Sequence, residues 1–346
     1  MSSFGSKLKR RNILKGTLAV AAAPAIITSA QAQTKIRWKV QAHWPKASVS
    51  FVDSLGVLAT ELEQRTDGRF TLETLGAGEI AKGGEIFNIV RRGVVQMGTT
   101  NPGYNPAETE LHGLYFGMPG TLRDPWELMY LTKNLGLEAA VNDEMRPKGL
   151  FYMADKAYPT ELVLKNKIEA GADLGAVKVR SYGNTLEFLA AAGFAPQQVD
   201  GSELYQAIAT GVVDGAHWGA AQGALSMKLW EVAPIQMRPA LAISNDTYII
   251  NVAAYDELPD DLRLIFISLL EERYYRRSLQ YKELEVTALN TGVAKMNVQV
   301  EQFPDDVLAR FAEASRDILA KEMAKGPKAE EFGDKLIGLM KKLGYV

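Results

Sequence analysis

One stretch of the chain places an arginine and a histidine–tryptophan pair at the ends of two predicted strands. The alternating residues 177–180 predict a short strand that ends at Arg180, and a turn containing Asn184 follows. A second predicted strand begins at Val212-Val213 and ends at His217-Trp218. In open α/β sheets, ligands bind beyond the carboxyl ends of the strands. Because the planar arginine guanidinium suits a carboxylate held by two hydrogen bonds, this stretch predicts a carboxylate-binding site anchored by Arg180.

A similar pattern occurs earlier in the chain at a constant spacing. Residues 85–95 and 203–213 share a glutamate, a glycine and two valines at equivalent positions, and their apolar positions agree. A chance likeness between two helix–strand units is the alternative. If the repeat reflects two similar lobes, Thr99-Thr100 correspond to His217-Trp218, and both pairs line one cleft. Asn101 and Tyr104, just after the first pair, are further candidates for ligand binding.

Two more ligand-binding candidates lie outside these segments. Trp44 follows the first predicted strand, residues 36–40, and Glu161 stands near the predicted start of a second lobe. Structural roles remain the alternatives for the candidates: His217 as a core histidine, or Glu161 as a surface partner of Lys165. The sequence has no Gly-x-Ser-x-Gly or His-Glu-x-x-His motif, so these residues indicate binding and not catalysis.

Residues 1–32 are predicted to be an export signal. Basic residues precede an apolar run at residues 17–27, and Ala30-Gln31-Ala32 fits a small-x-small cleavage site. Arg10-Arg11 in the segment RRNILK resembles the twin-arginine export signal. An ordinary secretory signal with a chance arginine pair is the alternative. Either signal predicts that the mature protein resides in the periplasm.

Charge and cysteine content exclude several classes of function. The chain has 39 basic and 41 acidic residues, and the predicted signal contains five basic and no acidic ones. The remainder therefore has 34 basic and 41 acidic residues, a net charge of −7, which argues against a nucleic-acid partner. The absence of cysteine excludes disulfides, zinc–thiolate sites and thiol catalysis.

The remaining residues predict two lobes, because a single core stops growing near ~250–300 residues. We assign residues 33–157 plus 248–285 to lobe I and residues 158–247 plus 286–346 to lobe II. Residues 240–243 and 248–252 predict two separate strands with a connection between them. A helical pattern runs from Pro259 without another Pro or Gly until Gly292, and we expect this helix to brace both lobes. Two helices broken near Leu279 are the alternative.

Taken together, these segments resemble the solute-binding subunit of a tripartite ATP-independent periplasmic (TRAP) transporter. The resemblance covers the mature chain and rests on the long helix and three segments, LGAGEIAKGGEIFNIVRRGVVQMG, VKVRSYGNTLEFLAAAGFAP and GSELYQAIATGVVDGAHW. It implies an α/β fold of two lobes, with mixed sheets and a central cleft that closes over a small organic acid. It also implies delivery of that acid to integral membrane permease subunits. In this family the arginine at the position of Arg180 holds the ligand carboxylate.

The sequence resembles in particular the branch that binds 2-oxo and 2-hydroxy monocarboxylates, some with a metal ion beside the ligand. In that branch a tyrosine at the position of Tyr104 lies near the ligand. The metal is bound by a glutamine near the position of Glu161, an acidic residue at His217 and the backbone of the aromatic residue at Trp218. This chain has a carboxylate and an imidazole at the first two positions. The resemblance therefore implies a rearranged metal site of Glu161, His217 and Trp218, a softer metal at that site, since imidazole disfavours sodium and calcium, or the loss of the metal.

The predicted function is capture of a small organic acid for transport, and the chain is not predicted to be an enzyme. A ligand-binding protein that presents its closed form to a sensory receptor is one alternative. A periplasmic enzyme with His217 as base and Glu161 as its orienting group is another. Some relatives dimerise through their C-terminal helices, so a homodimer is a further prediction from the resemblance.

Overall fold

A computed structural model describes residues 35–346, and the predicted export signal, residues 1–32, lies outside this range. Nine strands lie within the described residues and join one sheet in the order β2-β1-β3-β8-β4-β7-β5-β6, with β9 beside β8. The strands are β1 (Ile36–Gln41), β2 (Phe70–Leu75), β3 (Met97–Thr100), β4 (Leu150–Leu164), β5 (Lys178–Arg180), β6 (Ala195–Gln197), β7 (Gly215–His217), β8 (Ile235–Asn251) and β9 (Gln299–Gln302).

The sheet consists of two parallel groups joined by two long antiparallel strands. Strands β1, β2 and β3 are parallel to one another, and so are β5, β6 and β7. Strands β4 and β8 pair antiparallel along most of their length, and each pairs at its carboxyl end with one group, β4 with β7 and β8 with β3. The predicted α/β class with a mixed sheet is therefore confirmed. The lobe boundaries remain a prediction.

Most of the helices are short and connect neighbouring strands. None of those in the described part of the chain is long and apolar enough to cross a membrane. In chain order they are α1 (Val49–Phe51), α2 (Val57–Arg65), α3 (Ile86–Arg91), α4 (His112–Phe116), α5 (Pro125–Met129), α6 (Leu137–Met145), α7 (Gly183–Ala191), α8 (Leu204–Ala209), α9 (Ala221–Ser226), α10 (Val252–Asp256), α11 (Asp260–Lys295), α12 (Asp305–Met323) and α13 (Pro327–Lys342).

Helix α11 is one unbroken helix of 36 residues, which excludes the two-helix alternative. It follows Pro259 and carries Asp260 and Asp261 in its first turn, where negative charge is favoured by the helix dipole. Near its start, Phe266 packs with Trp38 of β1 at a ring-centroid distance of 5.3 Å. Near its end, Ala288 belongs to the apolar cluster around Trp230, in the other half of the chain. The helix therefore packs into a core on each half, as its predicted bracing role requires.

The predicted sequence repeat corresponds to two units with the same backbone path. Each unit has a single 3₁₀ turn, then a six-residue helix (α3 or α8), then a glycine with positive φ and a short strand (β3 or β7). The glycines are Gly93, at φ 71°, and Gly211, at φ 80°, a region in which a side chain is strained. The strand predicted from Val212-Val213 to His217-Trp218 is present as β7, which ends at His217, but its predicted start is wrong, because the chain turns after Gly211 and β7 begins only at Gly215.

The two strands predicted on either side of Ser244-Asn245-Asp246 are one continuous strand, β8. The polar residues stay within the strand because their side chains have buried partners. Asn245 donates to the carbonyl of Tyr115 over 3.0 Å and accepts from the hydroxyl of Tyr274 over 2.9 Å. Buried polar groups are tolerated when their hydrogen bonds are satisfied, so a polar run that predicts a connection is compatible with a central strand.

Candidate functional site

A cavity of about 30 Å³ lies at the carboxyl ends of the parallel strands. An aromatic residue follows each of four strands and lines it: Trp44 after β1, Tyr104 after β3, Tyr182 after β5 and Trp218 after β7. This is the edge at which open α/β sheets bind ligands. The long strands, helix α11 and the loops complete the wall with His43, Ser50, Lys156, Tyr158, Asp246 and Tyr281.

A buried ion pair forms one side of the cavity. Lys156 of β4 and Asp246 of β8 are paired in register at the middle of the two long strands, and Lys156 Nζ lies 2.7 Å from Asp246 Oδ2. Both side chains are almost completely buried. Although burial acts to raise the pKa of Asp246, the charge of Lys156 and the contact with His43 hold it below its usual range. Asp246 is therefore a carboxylate at neutral pH, and it lies against the amino group of Lys156.

Three aromatic rings surround the ammonium group of Lys156. Its Nζ lies 4.9 Å from the ring centroid of Trp44, 4.6 Å from that of Tyr158 and 4.5 Å from that of Tyr281. It also donates to Ser50 Oγ over 3.1 Å. Cation–π contacts within about 6 Å are favourable, and more so when the cation is shielded from water. The rings therefore stabilise a positive charge at this position.

Asp246 receives three contacts besides that of Lys156. The hydroxyl of Tyr158 donates to Asp246 Oδ1 over 3.1 Å, and the amide of Asn101 donates to the same oxygen over 3.4 Å. His43 Nε2 lies 3.6 Å from it. Both carboxylate oxygens are thus occupied by protein groups, and Asp246 holds Lys156 without presenting an uncompensated negative charge to the cavity.

Arg180 lies directly behind two of the cavity rings. Its guanidinium carbon is 4.7 Å from the ring centroid of Tyr182 and 5.1 Å from that of Trp218. Nε donates to the carbonyl of Val199 over 2.9 Å and Nη1 to the carbonyl of His217 over 3.1 Å. Nη2 is buried and has no partner among the described residues. Arg180 forms no ion pair with any carboxylate of residues 35–346. Its charge does reach Asp200: burial acts to raise the pKa of that carboxyl, and Ser202, Lys82 and Arg180 together hold the pKa below its usual value.

The aromatic wall between Arg180 and the cavity is stacked. The rings of Tyr104 and Tyr182 are nearly parallel, with centroids 4.5 Å apart. The ring of Phe116 also stacks on Tyr182, at a centroid distance of 5.4 Å. Burial raises the pKa of Tyr104, and the charge of Arg180 offsets part of that shift. Both tyrosines remain protonated at neutral pH and keep a hydroxyl that can donate a hydrogen bond.

Three of the predicted site residues line the cavity, and two others contact its wall. Trp44, Tyr104 and Trp218 line it directly. Arg180 stacks behind the rings, and Asn101 donates to Asp246. Of the two pairs that correspond in the repeat, Thr99-Thr100 and His217-Trp218, only Trp218 lines the cavity. Thr99 is buried, and its hydroxyl lies 2.9 Å from His43 Nδ1.

The other three predicted residues, Asn184, His217 and Glu161, do not line the cavity. The amide of Asn184 donates to the carbonyls of Gly113 and Gly117, and so ties α7 to α4. His217 is buried beneath Tyr182, with Nδ1 3.0 Å from the hydroxyl of Ser181. Burial and then the charge of Arg180 lower the pKa of His217 well below its usual value, so the imidazole is neutral.

Glu161 is occupied by neighbours on β8. Gln236 donates to its Oε2 over 2.8 Å, and Arg238 Nε lies 3.2 Å from its Oε1. Burial raises the pKa of Glu161, while Arg238 and Gln236 offset part of the shift. The alternative partner Lys165 is not among these contacts.

The metal site implied by Glu161, His217 and Trp218 does not fit this geometry. Both oxygens of Glu161 face protein donors, and the positive charge of Arg180 beside His217 repels a cation. The carbonyl of Trp218 faces Gly223, at which an added Cβ would lie 1.8 Å from the oxygen. Within residues 35–346 no group of three His, Asp or Glu side chains is arranged to hold a metal ion.

Sequence reasoning did not identify the residues that dominate the charge of the cavity. Lys156 lies next to the predicted lobe boundary at residues 157/158 and Asp246 lies in the predicted connection between residues 243 and 248, so their sequence positions do not single them out. Tyr182 lies two residues after Arg180, and Tyr281 lies within the long helix. A lysine and an aspartate inside two long apolar runs are the signal that would have revealed the pair, since lone charges are rarely buried without partners.

The described groups in and behind the cavity include one positive charge that has no ion-pair partner. Lys156 and Asp246 cancel each other, and Arg180 adds the remaining charge. The walls are aromatic, with hydroxyl and ammonium donors between the rings. This arrangement suits a small anion with an apolar portion. The volume of the cavity is far below the ~300 Å³ of a typical ligand pocket.

Comparison with known proteins matches residues 42–326 to the bacterial extracellular solute-binding proteins, family 7, DctP. A monocarboxylate 2-oxoacid-binding periplasmic protein of Nostoc sp. is 23% identical over 330 residues, which cover 92% of this chain and 90% of that protein.

Two solved structures share the fold. A TRAP periplasmic solute-binding protein from Pseudoalteromonas atlantica, with bound sodium and pyruvate, has a TM-score of 0.82 and 21% identity, covering 90% of this chain and 95% of that one. A TRAP transporter solute-binding protein from Bordetella bronchiseptica, a dimer with calcium and picolinate in one site, has a TM-score of 0.83 and 19% identity, covering 90% and 93%. The two-lobed α/β architecture is common to these proteins.

Proposed function

Because the chain belongs to the DctP family, the bacterial extracellular solute-binding proteins of family 7, we propose that it is the solute-binding subunit of a TRAP transporter. We further propose that its ligand is a small monocarboxylic acid of the 2-oxo class. The family is one of binding proteins and not of enzymes. The curated relative from Nostoc is named for 2-oxoacid binding, and the structure from P. atlantica contains pyruvate.

One observation supports a monoanionic ligand above all others, namely the single positive charge that has no ion-pair partner. Arg180 is buried without a carboxylate partner among the described residues, whereas Lys156 is neutralised by Asp246. A ligand with one carboxylate restores neutrality at this site, and a dicarboxylate leaves a buried negative charge. The free Nη2 of Arg180 is the donor that we assign to the ligand carboxylate, and its two hydrogens are oriented by the bonds of Nε and Nη1. Because Arg180 lies behind the rings of Tyr182 and Trp218, we propose that these rings shift when the ligand binds.

The aromatic wall supports a short apolar tail on that acid. Trp44, Tyr104, Tyr182 and Trp218 leave about 30 Å³ between them, which admits only a few heavy atoms without movement of the side chains. Tyrosine hydroxyls and the Lys156 ammonium are donors for a 2-oxo or 2-hydroxy oxygen. Pyruvate has the single charge, the second oxygen and the small size that these features require.

Location and partners follow from the same family membership. We propose a periplasmic protein that hands its ligand to the integral membrane subunits of the transporter, and the twin-arginine signal predicted within residues 1–32 fits this route. A homodimer remains part of the proposal, since the solved relative from B. bronchiseptica is a dimer.

Isothermal titration calorimetry of the purified protein tests the proposal. The panel is pyruvate, 2-oxobutanoate, lactate and picolinate, each titrated with and without added calcium and sodium. Methyl pyruvate serves as the uncharged control, because it matches 2-oxobutanoate in the number of heavy atoms, keeps the 2-oxo group and loses the carboxylate charge. We expect at least one acid of the panel to bind and methyl pyruvate to bind ~30-fold more weakly or not at all, the loss of a charge-assisted contact. Failure of every acid under both conditions would contradict the proposed function.

A further inference from the structure

Lys156 occupies a position in the cavity that a mobile cation could otherwise fill. The residue is 1% exposed, and its ammonium group is held by Asp246, Ser50 and the rings of Trp44, Tyr158 and Tyr281. All of these groups line the same cavity. A lysine held in this way places a fixed ammonium group in the wall of the closed cavity.

Lys156 retains the capacity to contact a ligand. An ammonium group has three hydrogen-bond donors. Two of them have partners in Asp246 Oδ2 and Ser50 Oγ, and the third has no hydrogen-bond partner within the described residues. The ring centroids lie 4.5–4.9 Å from Nζ, so the rings confine the ammonium without using its donors.

The residues that the resemblance assigns to a metal are engaged elsewhere. Glu161 is satisfied by Gln236 and Arg238, and His217 is neutral beside the cationic Arg180. Two solved relatives contain sodium or calcium together with their ligands. In this chain, the residues to which the resemblance assigns a metal are bound to other protein groups instead.

We propose that Lys156 takes the place of the metal ion beside the ligand, so that this protein binds its acid independently of sodium and calcium. The inference rests on the proposed function and names Lys156 as the residue that makes ligand binding independent of these ions. In this arrangement Arg180 faces the carboxylate, and the free donor of Lys156 faces the ligand oxygen that a metal would otherwise coordinate. Asp246 fixes the ammonium on the side away from the ligand.

The first experiment compares the wild-type protein before and after removal of metal. The protein is dialysed against EDTA into buffer with potassium as the added monovalent cation, and elemental analysis verifies that sodium and calcium are substoichiometric. Pyruvate is the first probe, followed by the other acids of the panel described above. We expect the dissociation constant to change by less than about twofold on chelation and on adding back calcium or sodium. Binding that disappears on chelation and returns with either ion would overturn the inference while leaving the proposed function intact.

The second experiment removes the fixed cation in a form that can fold. Lys156→Met alone leaves Asp246 buried and unpaired, which is strongly destabilising. The double variant Lys156→Met/Asp246→Asn removes both charges and keeps similar volumes. We expect it to bind the probe at least ~30-fold more weakly in metal-free buffer, because a charge-assisted contact is lost.

A matched control separates this effect from the general cost of losing a buried lysine. Lys133 is also paired with a carboxylate, 2.6 Å from Glu138 Oε1, and lies 5.3 Å from the ring centroid of Tyr274, but it does not line the cavity. The double variant Lys133→Met/Glu138→Gln removes this pair in the same way and should leave the affinity within about twofold. Wild-type affinity in a folded Lys156→Met/Asp246→Asn variant would overturn the inference. The chelation experiment needs only the wild-type protein, so it decides the question even if the double variant fails to fold. If the wild type binds no acid with or without metal, the proposed function itself is wrong.

Discussion

Arg180 is fixed in place by two of its three nitrogen atoms. Nε and Nη1 donate to the carbonyls of Val199 and His217, and the guanidinium stacks on Tyr182 and Trp218. Ordering a long side chain on binding costs about 0.5–1.5 kcal/mol, and that ordering is already present here. The same contacts mean that only Nη2 is free for the ligand, so the guanidinium presents one nitrogen and not its whole fork.

Arg180→Lys should lose ligand affinity even though it conserves the charge. A lysine cannot donate to both carbonyls and still present a fixed donor towards the cavity. We expect a loss of about 1.5–3 kcal/mol, roughly 10- to 150-fold in the dissociation constant measured by calorimetry. Arg273→Lys is the matched control, because Arg273 is equally buried and donates to the carbonyls of Asp53 and Ser54 without lining the cavity. Both variants should lose stability, and near-normal affinity in folded Arg180→Lys would contradict the anchor.

A buried histidine should make the protein sensitive to acid. His112 Nδ1 donates to the carbonyl of Asn105 over 2.6 Å, and His112 Nε2 has no partner within residues 35–346. Burial lowers its pKa from 6.5 to about 4. The unfolded chain therefore binds this proton more readily than the folded one. Stability that is present above pH 6.5 is lost as the pH falls towards 4.

His112→Asn should reduce this acid sensitivity, since an asparagine amide can donate to Asn105 without titrating. Between pH 7 and pH 4.5 the histidine costs about 2 kcal/mol of unfolding free energy, from the two pKa values and the linkage relation. Urea unfolding at both pH values should show a smaller decrease for the variant by about this amount. The pKa of His217 is also lowered, but His217 is present in both proteins and does not contribute to the difference between them. An equal decrease in the two proteins would show that His112 is not buried neutral.

At the level of residues, the sequence predicted the aromatic part of the site better than its charges. Trp44, Tyr104 and Trp218 follow strand ends, and strand ends are visible in the pattern of apolar residues. Lys156 and Asp246 lie within strands, and their proximity depends on the register of β4 against β8. Register between strands distant in sequence is a tertiary property, so a single sequence could not reveal that the two charges meet.

Among the elements, the long helix α11 shows how packing can reverse the usual preference for alanine over glycine inside a helix. Gly292 lies inside α11, and an added Cβ would be 2.6 Å from the ring of Trp230. The ring cannot easily move, because Trp230 Nε1 donates to Gln236 Oε1 over 2.9 Å. The glycine is therefore required by the close approach of the ring and not by its own backbone conformation.

Gly292→Ala should destabilise the protein by about 1–3 kcal/mol, the usual effect of overpacking. In a helix interior the same change normally stabilises by about 0.5–1 kcal/mol. Gly338 provides the matched control, because it lies inside α13 and an added Cβ meets nothing within 4 Å. Thermal and urea denaturation should therefore show opposite signs for Gly292→Ala and Gly338→Ala. If both substitutions stabilise the protein, the Trp230 ring must be able to move away from the added methyl group.

The elements that the sequence predicted well are those with long or repeated signals. The unbroken pattern after Pro259 gave α11, and the repeat of residues 85–95 and 203–213 gave two units of the same path. The central strand β8 was split in two because its polar residues 244–246 are typical of a connection. They lie in a strand because Tyr115, Tyr274 and Lys156 satisfy them, and these partners are distant in sequence.

At the scale of the whole molecule, the cavity is lined by both predicted lobes. His43, Trp44 and Tyr104 belong to the residues assigned to lobe I, and Tyr182 and Trp218 to those of lobe II. Most of these side chains are buried, with Trp44 at 3% and Tyr182 at 6% exposure. We therefore predict that the ligand enters when the lobes separate and is enclosed when they close.

Ligand should therefore shift the protein from an open to a closed arrangement. The free protein should populate the open form, because a site that is always closed would admit ligand only very slowly. Small-angle X-ray scattering should show a smaller radius of gyration when the tightest-binding acid of the panel is added at saturation. An unchanged profile with calorimetric evidence of binding would place the site within one lobe, or show that the free protein is already closed.

A pair of glycine variants tests whether closure is needed for affinity. Gly183, at φ 58°, approaches Gly103 of lobe I so closely that an added Cβ would lie 2.9 Å from the Gly103 Cα. Gly171, at φ 74°, has a similar backbone conformation, but an added Cβ meets nothing within 4 Å. Alanine is strained at both positions, and only Gly183→Ala also obstructs the approach of the lobes. We therefore expect both variants to lose similar stability, whereas only Gly183→Ala should bind ligand more weakly and keep the larger radius of gyration at saturating ligand. Equal affinities in the two variants would show that the contact between Gly103 and Gly183 does not limit closure.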